Sequence, residues 1–234
     1  MFQYKKTKVE FFAKEGHLSI FHNPLPAHKS FPTYFLDLKP QTDANPATGT
    51  VKRCVPFLDA MSQGFIIPMW CDVWVTASNG TLDIKFPDNL PMETSLSPHG
   101  PSQIKNHPLS RKPYGDIPLK WHSPWGVKTP RGYSCLFTTP LNHLETRFKI
   151  LDGVVDTDTY YNQVNFPFVW TGGDGSFLIG AGTPLVHVLP FKREKFECVS
   201  VIQDDKKQTI VSGKIGTVMR NAYKTMFWHK NVED

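Results

Sequence analysis

The chain has 234 residues, 40% hydrophobic and 13% aromatic against 20% charged. That is enough apolar surface to offset the entropy of ordering a core, which excludes wholesale disorder. The formal charge of +5 comes from 26 basic and 21 acidic residues spread along the chain, without the basic tract interleaved with aromatics that would signal binding to a nucleic acid polymer. No run approaches the roughly 20 apolar residues of a membrane helix, and twenty prolines against sixteen glycines predict few long helices.

In chain order, residues 1–50 carry Pro24, Pro26, Pro32, Pro40 and Pro46 and the turn-like run Gln41–Gly49, which predicts a proline-rich N-terminal arm. Met1–Lys8 is polar and basic with no apolar segment behind it, so no secretory leader is expected and a cytoplasmic location is. The β core is expected over residues 51–211. Arg53–Ala60 suits a short helical turn, and Phe65–Ala77 suits a strand pair interrupted at Pro68, in which Asp72, Trp74 and Thr76 alternate with Val73 and Val75. Asn79-Gly80 accepts the positive φ of a type I′ turn, which predicts a hairpin of Val73–Ala77 with Thr81–Phe86.

Residues 87–130 form an irregular, proline-rich insertion, expected either to pack as an ordered extension on Trp121 and Trp125 or to reach a neighbouring subunit. Gly132–Thr138, Arg147–Leu151, Tyr160–Thr171, Ser176–Ile179, Pro184–Phe191, Phe196–Gln203 and Thr209–Val211 then read as successive strands joined by short turns. That spacing predicts an all-β fold, an antiparallel sandwich or barrel in a single domain spanning residues 1–234. Residues 212–234 hold one expected C-terminal helix, Ile215–His229, docking by a stripe of Val218, Ala222 and Met226. Cys54, Cys71, Cys135 and Cys198 are widely separated and read as reduced core thiols. The six tryptophans are read chiefly as core and subunit contacts, with a sugar-stacking platform as the alternative.

Two constellations point to chemistry. His143-Leu144-Glu145 with a later His187 offers two histidines and a carboxylate, the donor set of ferrous-iron oxygenases of the cupin kind. The second is Leu151-Asp152-Gly153-Val154-Val155-Asp156-Thr157-Asp158-Thr159-Tyr160, followed by an apolar strand and Ser176–His187. Its bland reading is a tight β connection in which Asp156 and Asp158 bond backbone amides.

In order and spacing, Gly153, Asp156, Phe177, Ile179 and Gly182 resemble the dUTPase family over about residues 132–191. The resemblance implies an antiparallel β-clip fold and a homotrimer with active sites shared between subunits. It also implies that Asp156 orients an attacking water, that Tyr160 stacks beneath a deoxyribose, and that Thr138, Thr139 and His187 lie around the substrate. Mg²⁺ would bridge the phosphates in such a hydrolase. The chain departs from the family pattern at Thr159, inserted before the tyrosine, at Phe137–Leu141, which lacks the phosphate-binding arginine, and at Val186-His187.

Cys54–Ala60 and Pro184–Glu194 also resemble uncharacterised proteins of marine bacteria and their phages. The reading is therefore a non-catalytic β-scaffold for assembly or binding, with no cofactor, and with a divergent deoxynucleotide pyrophosphatase as the alternative.

Overall fold

The computed structural model describes residues 7–45, 48–90, 95–100, 103–111, 113–114, 118–217 and 222–228. Among them, fourteen strands form four antiparallel sheets with few helices, a mainly β architecture.

The N-terminal stretch carries strand β1 (Glu10–Phe12), helix α1 (His17–Ile20), strand β2 (Leu25–Pro26), helix α2 (Thr33–Asp37) and helix α3 (Val55–Ser62). Pro56 lies in the first turn of α3, where its missing N–H removes no helical bond. Strands β3 (Phe65–Pro68), β4 (Val73–Ser78) and β5 (Thr81–Lys85) follow. The expected hairpin forms: Ser78 pairs with Thr81 across Asn79 and Gly80, whose φ angles are 49° and 79°. Along β4, Val73, Val75 and Ala77 are buried while Trp74, Thr76 and Ser78 face out, which is the period of two read from the sequence.

The insertion expected to be irregular contributes three strands instead: β6 (Leu96–Pro98), β7 (Leu119–Trp121) and β8 (Gly126–Lys128). None is recognisable locally, because β8 pairs with β1 and β7 with a strand more than forty residues later. Trp121 and Trp125 are both fully buried, so the insertion packs on the body at these two residues.

Strands β9 (Tyr133–Thr138), β10 (Phe148–Ile150), β11 (Gly153–Val155), β12 (Phe166–Trp170), β13 (Gly175–Ile179) and β14 (Pro184–Lys192) complete the body. The largest sheet has the order β11-β9-β14-β3-β2, a second has β10-β12-β7-β6 and a third has β13-β4-β5. Tyr160–Thr171 is thus a strand only over Phe166–Trp170. The segment 132–191 is not one contiguous series of hairpins, because β13 pairs with β4 whereas β14 lies between β9 and β3. The connection through Gly180-Ala181-Gly182 therefore passes from one sheet to another, and Asp72 fixes it by accepting the Ala181 N–H at 2.7 Å.

The core is aromatic. Trp121 stacks on Phe168 at 4.3 Å with the rings 4° apart, and Phe148 and Phe86 meet that pair edge-on. Trp70, Trp121, Trp125 and Trp170 are all buried, so four of the six tryptophans serve packing. Cys71 and Cys135 are core thiols as expected, but Cys54 and Cys198 are exposed. No helix among the described residues is long and apolar enough to cross a membrane.

The C-terminal region departs most from expectation. Phe196–Gln203 runs without secondary structure or strand partner, and Thr209–Val211 lies inside helix α4 (Asp205–Thr217). The β-branched run is overruled by an N-cap: the Asp204 carboxylate accepts the Lys207 N–H at 3.0 Å. Of the one helix expected over Ile215–His229, the described residues show the end of α4 and a short α5 (Ala222–Met226), and residues 218–221 between them lie outside the described ones. Val218 and His229 of that expected helix lie outside the described residues, and Met226 is exposed.

Candidate functional site

The Gly153–Tyr160 segment leaves β11, the outermost strand of the large sheet, through a tight turn. The Asp156 carbonyl accepts the N–H groups of Thr159 at 3.1 Å and Tyr160 at 2.9 Å, and the Thr159 hydroxyl at 3.2 Å. Thr157 points inward, its hydroxyl 2.8 Å from that of Thr129 and 3.3 Å from the Cys135 sulfur. The turn about buried Thr157 leaves its two acidic neighbours in different surroundings. The Asp158 side chain is 2% exposed and that of Asp156 is 62%.

Arg193, the residue after β14, ties both down. Its guanidinium donates to Asp158 through both terminal nitrogens, with Nη1 2.9 Å from Oδ1, and the same Nη1 lies 3.1 Å from Asp156 Oδ1. It also donates to the Tyr133 carbonyl at 3.1 Å and the Ser134 hydroxyl at 3.0 Å. Ser134 in turn donates to Asp156 at 2.6 Å, and the Gly132 N–H donates to Asp158 at 2.8 Å. The Arg193 hydrogen bond and then the Gly132 N–H hold the Asp158 carboxyl down at about 2. Asp156 and Asp158 thus join an ion-pair clasp that fastens the end of β14 to the start of β9 and the exit of β11. Sequence reasoning missed Arg193 in this role, because its partners lie 35 and 37 positions away with no local signature.

An open concavity of about 570 Å³ lies beside β11, lined by Val154, Val155, Asp156, Thr159, Tyr160, Val164 and Asn165. Asp156 and Tyr160 are therefore brought together, with Tyr160 43% exposed. Thr138 and Thr139 do not line it. The Thr138 hydroxyl donates to Asp152 at 2.7 Å, and the Thr139 hydroxyl accepts the Ile150 N–H at 3.2 Å.

His187 lies elsewhere, fully buried on β14. Its Nε2 is 2.6 Å from the Gln63 carbonyl and its Nδ1 3.4 Å from the Leu141 N–H. A carbonyl only accepts and an amide N–H only donates, so the ring is the neutral tautomer protonated on Nε2, and both nitrogens are engaged. Burial pushes its pKa down. Burial first, and then the neighbouring His187, push His143 to about 4.

Glu145 does not join these histidines. Arg147 holds it through its N–H and Nε, both 2.9 Å from Oε1, and through Nη2 at 2.6 Å from Oε2. His143, Glu145 and His187 therefore do not assemble an iron site, and no group of three His, Cys, Asp or Glu among the described residues is disposed to hold a metal ion.

No family model matches the chain, and no curated protein matches it.

Proposed function

We propose that the chain is a non-catalytic β-scaffold module that assembles with further copies of itself through its C-terminal arm. The observation that carries this reading is the exposure of residues 194–204, where Phe196 is 87% exposed, Val201 82% and Ile202 98%. Phe196, Val201 and Ile202 all project into solvent from a stretch without regular structure. Apolar area left in water forgoes about 25 cal/mol per Å² relative to being covered, and a patch of this kind marks an interaction surface.

Residues 194–217 fall within the roughly 20–30 residues a side that a standard interface uses. Glu194, Glu197, Asp204 and Asp205 balance Lys195, Lys206, Lys207 and Lys214 in charge, so the arm does not select a strongly charged partner. A trimer, a dUTPase-like arrangement of the sheets and kinship with proteins of marine bacteria and phages are the finer form of this proposal, resting on the sequence resemblance alone. Exposed, unpaired Cys54 and Cys198 suit a reducing compartment such as the cytoplasm.

The test is light scattering of the full chain and of a chain ending at Arg193. The full chain is expected to be oligomeric at about 100 μM, a concentration that saturates a 1 μM interaction, and the shortened chain a monomer with the same β-type circular dichroism. A monomeric full chain at that concentration overturns the reading.

A second reading, a divergent deoxynucleotide pyrophosphatase, is favoured by Asp156 and Tyr160 lining one concavity. In it Asp156 takes a proton from the attacking water while the Tyr160 ring packs on the sugar. Mg²⁺ would come with the nucleotide's phosphates, because one carboxylate is too little to hold the ion. Pyrophosphate release from a deoxynucleotide panel, abolished by Asp156→Asn in a folded protein, establishes this reading, and absence of release removes it.

A further inference from the structure

We propose that the cleft between α3 and the C-terminal segment binds a small aromatic anion. The cleft encloses about 290 Å³ and is lined by Pro40, Lys52, Arg53, Val55, Leu58, Lys224 and Trp228. Three of these are cationic and none is acidic, while the others form an apolar and aromatic wall. That is the composition of a small-ligand site, a mostly apolar surface with a few convergent polar groups. Its volume is on the order of ten waters, which suits one ring and one anionic group.

Each part is held in place by contacts independent of any ligand. The Lys52 ammonium donates to the carbonyls of Phe35 at 2.7 Å and Leu36 at 2.8 Å, in the last turn of α2, and lies 4.9 Å from the Phe35 ring centre. Two of its three N–H donors are used in this way, so one remains for an anion, and the charge is fixed without rotamer freedom being lost on binding. The Trp228 indole N–H, also at the cleft wall, donates to the Asp59 carboxylate, 2.9 Å from one oxygen and 3.2 Å from the other. Asp59 thus fixes the indole and anchors the C-terminal segment to α3. The Lys224 ammonium sits 5.7 Å from the Trp228 ring centre, a cation over an aromatic face that presents charge at the edge of the cleft. A flat ring against Trp228, Val55 and Leu58 directs its carboxylate or phosphate toward Lys52 and Lys224, where Coulomb attraction in a half-enclosed cleft exceeds that in bulk water.

The inference is independent of assembly through the arm. It is tested on the full chain by following the Trp228 indole N–H resonance, assigned with Trp228→Phe, during titration with phenyl phosphate, benzoate and inorganic phosphate. At least one of the aromatic anions is expected to shift the resonance saturably with a Kd at or below about 1 mM, ten-fold or more tighter than inorganic phosphate. Phenyl phosphate alone would identify the anionic group as phosphate, benzoate alone as carboxylate, and equal binding as either. Lys224→Gln, at an exposed position, is expected to weaken binding at least five-fold, and Lys52→Met more. Absence of saturable shifts, inorganic phosphate binding as tightly as the aromatic anions, or an unchanged Kd in Lys224→Gln overturns the proposal.

Discussion

At the residue scale, the Arg193 guanidinium faces a nearly buried carboxylate on Asp158 and an exposed one on Asp156. The ionisation of Asp158 matters for folding, since its pKa is held at about 2 against an ordinary 3.8. A carboxyl depressed in the folded state contributes stability that is fully present above its unfolded pKa and is lost as protons compete for it. The contribution is therefore expected to hold above about pH 4 and to fade between about 4 and 2. Asp158→Asn removes the charge, so it should lower the urea midpoint at pH 7 and narrow its deficit against the wild type as the pH falls to 2. Parallel pH profiles would show that the pair contributes nothing to folding.

At the element scale, two glycines with positive φ carry different burdens. Gly80 holds the left-handed conformation of its turn, at φ 79°, and an added Cβ would meet the Pro113 carbonyl at 3.2 Å, so Gly80→Ala is expected to cost about 1–2 kcal/mol. Gly64, at φ 68°, enters β3 with its Cα against β14, where an added Cβ would run into the Val188 carbonyl. Backbone there cannot yield without parting β3 from β14, a pair in register from Phe65 through Ile67, with a register shift between Val186 and Pro184 before Pro68 pairs. Gly64→Ala should therefore cost more than about 3 kcal/mol, the upper end of backbone strain alone. Denaturant unfolding of the two variants checks the order, which equal losses would refute.

At the scale of the whole molecule, the chain leaves the packed body at the Arg193 clasp, runs through solvent over residues 194–204, and returns to α3 at Trp228. Free energies of local opening range from near zero to the global value, and backbone without partners lies at the bottom of that range. Amides of residues 194–204 are expected to exchange hydrogen unprotected in dilute solution and to gain protection as concentration rises, while β14 stays protected throughout. An arm unprotected at every concentration would place it outside any self-assembly interface.

Much of the β architecture was legible in the sequence, because hydrophobic alternation and turn chemistry are local properties of the chain. The hairpin about Asn79-Gly80, the turn of helix near Val55 and the strands at Tyr133, Phe148, Ser176 and Pro184 all follow from residues within a few positions of one another. Thr209-Ile210-Val211 has the β-branched composition of a strand, and the Asp204 cap that turns it into helix was not read from the sequence. Other features required partners far along the chain: β7 and β8 within the proline-rich insertion, the passage from β13 to β14 between sheets, and the Arg193 clasp. The candidate site divides in the same way. Asp156 and Tyr160 share a turn and so meet, whereas Glu145 and His187, expected beside His143, are committed to Arg147 and to Gln63 and Leu141. Periodicity sets which face a residue presents, but its partner is set by the tertiary path that brings distant segments into contact.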